Sequence, residues 1–230
     1  MPHSSLPLPD RTFAAVLFDM DGTLIDSIGA VERSWRTWAG EYGVDLARLQ
    51  GLHGVAAMGV TAMLLPALSD EDQAGAVLRI EELEVADTDG IVVLPGAAEA
   101  LEALAAGGAK VAIVTSCTDP LAEARIAATG LRHPEVVVTA SHVTAGKPDP
   151  EPFVLGASLL GVDPADCLVV EDAVAGLTAG RAAGAATLAV RHTTPDEALE
   201  PLADLIVDGL DAVRFTVGAD GRVSLGLARG

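Results

Sequence analysis

Apolar residues gather in six short, nearly continuous runs at positions 13–18, 111–115, 136–138, 168–170, 187–190 and 205–207. The runs are brief and rich in β-branched residues, and they lack the apolar–polar alternation of a half-exposed strand. That pattern predicts strands covered on both faces. Helix-compatible stretches at 96–106, 120–129, 150–160 and 176–183 separate them. Several of these open on proline and close at Gly107, Gly130, Gly161 or Gly184, as helix punctuation predicts. Strand and helix in alternation predict an α/β fold, a doubly wound parallel sheet.

One interval breaks the rhythm. Residues 24–94 read as helical at 28–42, 55–65 and 70–86, with no convincing strand. An insertion of about 70 residues between the first two strands is too long for an ordinary crossover and reads as a helical cap. Open α/β sheets bind ligands beyond the carboxyl ends of their strands, so a cap placed there would roof the site. The expected organisation is a core at 12–23 and 95–212, a cap at 24–94, a flexible N-terminal tail at 1–11, and a C-terminal extension at 213–230. In that extension Gly218-Ala219-Asp220-Gly221 separates two alternating runs, which suggests a hairpin.

Composition narrows the function. Half of the 230 residues are hydrophobic but only 3% are aromatic, so Ala, Val and Leu must fill the core. The net charge is −19, from 14 Lys+Arg against 33 Asp+Glu. So acidic a surface argues against nucleic-acid and anionic-membrane partners. An anionic substrate would need a local positive source. Lys110 and Lys147 are the only lysines, and magnesium plus one lysine would be sufficient. Cys117 and Cys167 form neither a disulfide framework nor a metal-binding spacing and read as reduced structural thiols. Residues 1–11 lack the apolar region of a secretory signal, and no segment reaches the roughly 18 apolar residues of a membrane span. The expectation is a cytoplasmic location.

Four predicted strand ends carry candidate chemistry. The first runs into Asp19-Met20-Asp21-Gly22-Thr23, two carboxylates one residue apart. Such a pair is costly to bury, since like charges repel and desolvate. The second strand ends in Thr115-Ser116, the third is followed by Lys147-Pro148, and the fourth ends in Glu171-Asp172. Each has a bland reading, as a turn, a helix cap or a surface charge. Their recurrence at successive strand ends on one edge of one sheet argues for a site.

Together these segments resemble, in order and spacing, the four motifs of the haloacid dehalogenase-like hydrolase superfamily, over roughly residues 12–212. The cap position is similar to that of its helical-cap subgroup. Val31-Glu32-Arg33-Ser34-Trp35, His53-Gly54-Val55 and Leu94-Pro95-Gly96 look most like bacterial sugar and hexitol phosphatases. The resemblance implies a Rossmann-like core and a Mg2+-dependent phosphatase acting on small phosphate monoesters such as sugar or polyol phosphates. It implies Asp19 as nucleophile, forming an aspartyl-phosphate, and Asp21 as general acid and base. It implies Mg2+ held by Asp19, the carbonyl of Asp21, and Asp172, an all-oxygen set, with Glu171 in support. Thr115, Ser116 and Lys147 would bind the phosphoryl oxygens. A monomer is the default for capped members.

Within the family, Asp21 argues against dehalogenation, and a cap without lysine argues against Schiff-base phosphonatase chemistry. A β-phosphoglucomutase keeps all four motifs. It usually carries a cap-loop arginine where this chain has Val55-Ala56-Ala57-Met58, which favours hydrolysis. A catalytically idle binding or regulatory module is the remaining reading, against which the full set of motif residues counts. In the cap, His53 reads either as a structural histidine or as a substrate contact. Glu32 and Arg36 have the spacing of a surface i,i+4 pair, and Trp35 and Trp38 that of cap core.

Overall fold

The computed structural model describes residues 7–49 and 57–228. In chain order the elements begin with β1 Thr12–Phe13, β2 Ala15–Phe18 and β3 Ile25–Asp26. The helical layer follows: α1 Ile28–Tyr42, α2 Ala57–Leu64 and α3 Asp70–Ala86. The chain returns through β4 Val92–Val93, α4 Ala97–Ala106, β5 Lys110–Val114, α5 Asp119–Thr129 and β6 Val136–Val138. It continues with α6 Glu151–Leu159, β7 Cys167–Glu171, α7 Val174–Ala182, β8 Ala186–Val190, α8 Asp196–Leu199 and β9 Leu205–Val207. Strands β10 Val213–Val217 and β11 Val223–Leu227 close the described chain.

Six strands form one parallel sheet in the order β6-β5-β2-β7-β8-β9, the predicted doubly wound architecture. The continuous apolar runs follow from burial on both faces. Val16, Phe18, Val111, Ile113, Leu168 and Val170 join one core cluster, while Ala15, Leu17, Ala112, Val114, Cys167 and Val169 join the other. Leu101 and Leu104 of α4 and Leu121 of α5 cover the first face; Phe153 of α6 and Ala179 of α7 cover the second. Strand β2 is central, with Phe18 in register with Ile113 on one side and Val170 on the other.

The helical layer has its own core, built on Trp38, Val60, Leu64, Ala76 and Ile80. Trp38 is fully buried, and its indole N–H donates to the carbonyl of Ala76 at 2.9 Å. Helix α3 starts where Ser69 accepts from the Asp72 N–H, with three acidic residues in the first turn opposing the exposed N–H groups. Where the chain enters and leaves this layer, β3 and β4 pair antiparallel, Ile25 against Val93 and Asp26 against Val92. That ribbon lies in a stretch expected to hold no strand; two residues per strand are too few to leave a periodicity.

Two other expectations need correction. The run 13–18 is not one strand: Phe13 belongs to β1, which pairs with β11 of the C-terminal hairpin, and only residues 15–18 enter the central sheet. Nor is the N-terminal segment a flexible tail from Leu8 onward. Residues Leu8–Asp10 form a 3-10 turn, and Leu8 is 2% exposed against the main core cluster. The small antiparallel sheet β1-β11-β10 lies on the same face, with the rings of Phe18 and Phe215 edge to face at 5.9 Å. Among the described residues no helix is long and apolar enough to cross a membrane.

Candidate active site

The strand ends converge. Asp19 follows β2, and its N–H donates to the carbonyl of Val170 at 2.9 Å, so β7 fixes the backbone that carries it. Thr115 is held in the same way against Val138, at 2.8 Å. Asp172 follows β7 directly, and Lys147 arrives from the loop between β6 and α6. All four open into one cleft of about 1060 Å³ between the sheet edge and the helical layer.

Lys147 is almost fully buried and spends its three protons on protein acceptors. Its Nζ donates to Asp19 Oδ1 at 2.6 Å, to Glu171 Oε1 at 2.8 Å and to the Val114 carbonyl at 2.8 Å. The other oxygen of Glu171 accepts the N–H groups of Asp172 and Ala173, both at 2.8 Å. With both oxygens engaged, Glu171 acts as an anchor for the lysine and for the turn that carries Asp172. The helix start leaves it space: a Cβ on Gly176 would collide with the Glu171 carboxylate. Asp172 receives one hydroxyl, from Thr193 at 3.3 Å. Gly22, at φ 88°, sits where a Cβ would strike the Asp172 carboxylate, so the motif needs glycine there for space and for backbone conformation.

Ligand atoms of Asp19, Glu171 and Asp172 lie within 4.8 Å of one another. Three carboxylates and one ammonium leave two unbalanced negative charges in a buried site. Burial, then the Glu171 carboxylate, raises the proton affinity of Asp19 against the opposing pull of Lys147. Burial, then Glu171 and Asp19, does the same to Asp172. Lys147 is held well above its ordinary value, because the attraction of Asp19 and Glu171 outweighs the burial that opposes it. A site that binds protons this tightly has room for a cation instead, and the oxygen-only donor set fits a hard divalent metal ion.

Asp21 stands apart from this cluster. Its Oδ1 accepts from Ser27 Oγ at 2.6 Å and pairs with Arg125 Nη1 at 2.8 Å; its Oδ2 accepts from Cys117 Sγ at 3.1 Å. Thr115 is buried, with its hydroxyl accepting from the Cys117 N–H at 3.1 Å, whereas Ser116 is exposed to the cleft. His53 lies outside the described residues. Glu32 and Arg36 line the cleft and make no ion pair with each other among the described residues. On that helix it is Arg33 that pairs, with Asp87 at 2.8 Å. Trp35 borders the cleft while also packing edge to face on Trp38 at 5.2 Å.

Several residues here escaped the sequence reading: Ser27, Glu81, Glu84, Arg125 and Thr193. Glu81 and Glu84 face the cleft from α3, and Glu81 accepts from Thr118 Oγ1 at 2.8 Å. Burial, followed by Asp21 and Glu81 working against Arg125, pushes the Glu84 carboxyl up to about 7. For Arg125 a signal existed, since it shares the apolar face of α5 with Leu121 and Ala122. A charge at such a position needs a buried partner.

The haloacid dehalogenase-like hydrolase family model matches residues 13–184. Hexitol phosphatase A of Escherichia coli (strain K12) is 42% identical over 208 residues, 90% of this chain and 96% of that protein. Fructose-1-phosphate phosphatase YqaB of the same organism is 34% identical over 185 residues, 78% of this chain and 97% of that protein. Among solved structures, a hydrolase from Pseudomonas syringae superposes with a TM-score of 0.78 at 26% identity, covering 86% of this chain and 94% of that one.

Proposed function

The chain belongs to the haloacid dehalogenase-like hydrolases, and from that premise we propose that it hydrolyses phosphate monoesters of sugars or polyols, with Asp19 as the nucleophile. The observation that carries this reading is the buried contact of Lys147 with Asp19 at 2.6 Å, inside a three-carboxylate cluster at the floor of a capped cleft. Relatives named as hexitol and fructose-1-phosphate phosphatases support the substrate class. So does the cleft wall, where Glu81 offers an acceptor to hydroxyl groups beside the apolar edge of Trp35.

In this mechanism Asp19 attacks phosphorus in line, the ester oxygen departs, and an aspartyl-phosphate forms. Asp21 gives its proton to the departing oxygen and then takes one from the water that attacks the intermediate. Lys147 opposes the rise in Asp19's proton affinity and sets positive charge beside the incoming phosphoryl oxygens, with the Thr115 and Ser116 side of the β5 turn as further donors. Asp19, the Asp21 carbonyl and Asp172 would hold Mg2+, with Glu171 fixing the turn behind them. Bound there, the ion supplies charge neutralisation for the phosphoryl oxygens.

A panel of hexitol, hexose, pentose and glycerol phosphates, assayed for phosphate release with and without Mg2+, tests the assignment. Highest kcat/KM on a hexitol or hexose phosphate is expected. Highest kcat/KM on a nucleotide or a phosphorylated amino acid would overturn the substrate class.

A further inference from the structure

Arg125 sits in the middle of α5, 4% exposed, among apolar neighbours. Burying a guanidinium costs several kcal/mol unless carboxylates and other acceptors surround it. They do so from different parts of the molecule. Its Nη1 lies 2.8 Å from Asp21 Oδ1 and 3.0 Å from Cys117 Sγ, and its Nη2 lies 3.7 Å from Glu84 Oε1 on α3. One side chain of the core thus touches both the carboxylate assigned to proton transfer and a carboxylate carried by the helical layer above the cleft.

Satisfying Asp21 does not require this arrangement. Ser27 and Cys117 already give each of its oxygens a donor. What the guanidinium adds is charge and direction: a rigid fork that fixes where the carboxylate stands. Thr118, on the turn before α5, also donates to Glu81 of α3 at 2.8 Å, so α3 and α5 are tied at two points.

We propose that Arg125 is a positioning residue for the acid–base steps, holding Asp21 where it meets the departing oxygen, with Glu84 fixing the far end of the guanidinium. The inference rests on the reading of Asp21 given above. When the phosphorus–oxygen bond breaks, the departing alkoxide takes the Asp21 proton, and the carboxylate left behind faces Arg125. That proton matters for a sugar alkoxide and hardly at all for p-nitrophenolate, which leaves as a stable anion. The consequence is a change in leaving-group dependence, which loss of packing alone would not produce.

The test is the ratio of kcat/KM on sorbitol 6-phosphate to kcat/KM on p-nitrophenyl phosphate, measured for the wild type, Arg125→Gln, Arg125→Lys, Glu84→Gln and Asp21→Asn. In Arg125→Gln the ratio is expected to fall about tenfold or more, within the range that general acid catalysis contributes. It should fall in the same direction, but less, in Arg125→Lys and Glu84→Gln. A ratio within about twofold of wild type in the Arg125 variants, whatever their total activity, overturns the proposal. If Arg125→Gln fails to give a cooperative melt, Arg125→Lys, which retains a buried cation, decides between the same outcomes. The control separates two failures. An unchanged ratio in Asp21→Asn would overturn the role of Asp21 and the proposal with it. A fall there without one in the Arg125 variants overturns only the proposal.

Discussion

Asp19 and Lys147, 128 residues apart in the chain, meet at 2.6 Å on the floor of the cleft, and Glu171 holds the same ammonium from the other side. In the proposed mechanism the lysine is the local positive charge that lets so acidic a chain accept an anionic substrate. Replacing it by methionine keeps the volume and removes the charge. Activity on any phosphate monoester should fall by about 100-fold or more, and stability by about 3 kcal/mol from the uncompensated carboxylates. Steady-state kinetics and urea melts measure both.

Removing divalent metal should silence the enzyme reversibly. Dialysis against EDTA is expected to abolish phosphate release, and Mg2+ to restore it. Glu171→Gln, which loosens the anchor of Lys147 and of the Asp172 turn, should raise the half-saturating Mg2+ concentration about 10-fold or more. Titration of activity with Mg2+ reads this directly.

Gly176 offers a test of shape. Glycine to alanine in a helix normally stabilises by about 1 kcal/mol. In α7 the added Cβ would strike the Glu171 carboxylate, so Gly176→Ala should destabilise instead and weaken Mg2+ activation. Thermal melts of the two proteins give the sign.

Glu84 predicts a pH dependence of stability. Its folded-state pKa, raised from 4.5 to about 7 chiefly by burial, means that the folded protein holds this proton more tightly than the unfolded chain does. Its stabilising contribution is therefore complete below pH 4.5 and is lost as the pH rises to about 7. Glu84→Gln removes the titration, so relative to wild type it should gain up to about 3 kcal/mol between pH 4.5 and pH 8. Chemical denaturation at the two pH values checks the difference.

Phe215 tests the C-terminal hairpin. It is 6% exposed and packs edge to face on Phe18, at the end of the strand that carries Asp19. Phe215→Ala should cost about 3 kcal/mol, and a melt measures it.

Much of this was readable in the chain because the parallel sheet is buried on both faces, so its strands appear as unbroken apolar runs. The loops at their ends stand out by contrast. Asp19, Thr115, Lys147 and Asp172 could be found because each closes such a run, follows it within two residues, or sits just before a proline-marked helix. What escaped detection depends on distant pairing. Arg125 sits on the apolar face of α5, which signals a buried partner, but nothing in the sequence says that Asp21 and Glu84 supply it. Ser27 carries no mark in the sequence that its hydroxyl donates to Asp21, six residues away. The expected Glu32–Arg36 pair failed because i,i+4 spacing permits a contact without requiring one. Phe13 was assigned to the wrong sheet because a two-residue strand leaves no pattern of its own.

The central claim is that Asp19 carries the phosphoryl group. Acid quenching during turnover, reduction of any acyl phosphate with borohydride, and mass spectrometry of the tryptic peptide 12–33 would locate it. Homoserine at position 19 after reduction, enriched in Asp21→Asn supplied with p-nitrophenyl phosphate and absent without substrate, is the predicted result. An unmodified Asp19 in an enzyme that is turning over, or a phosphoryl group found on another residue, would contradict the account.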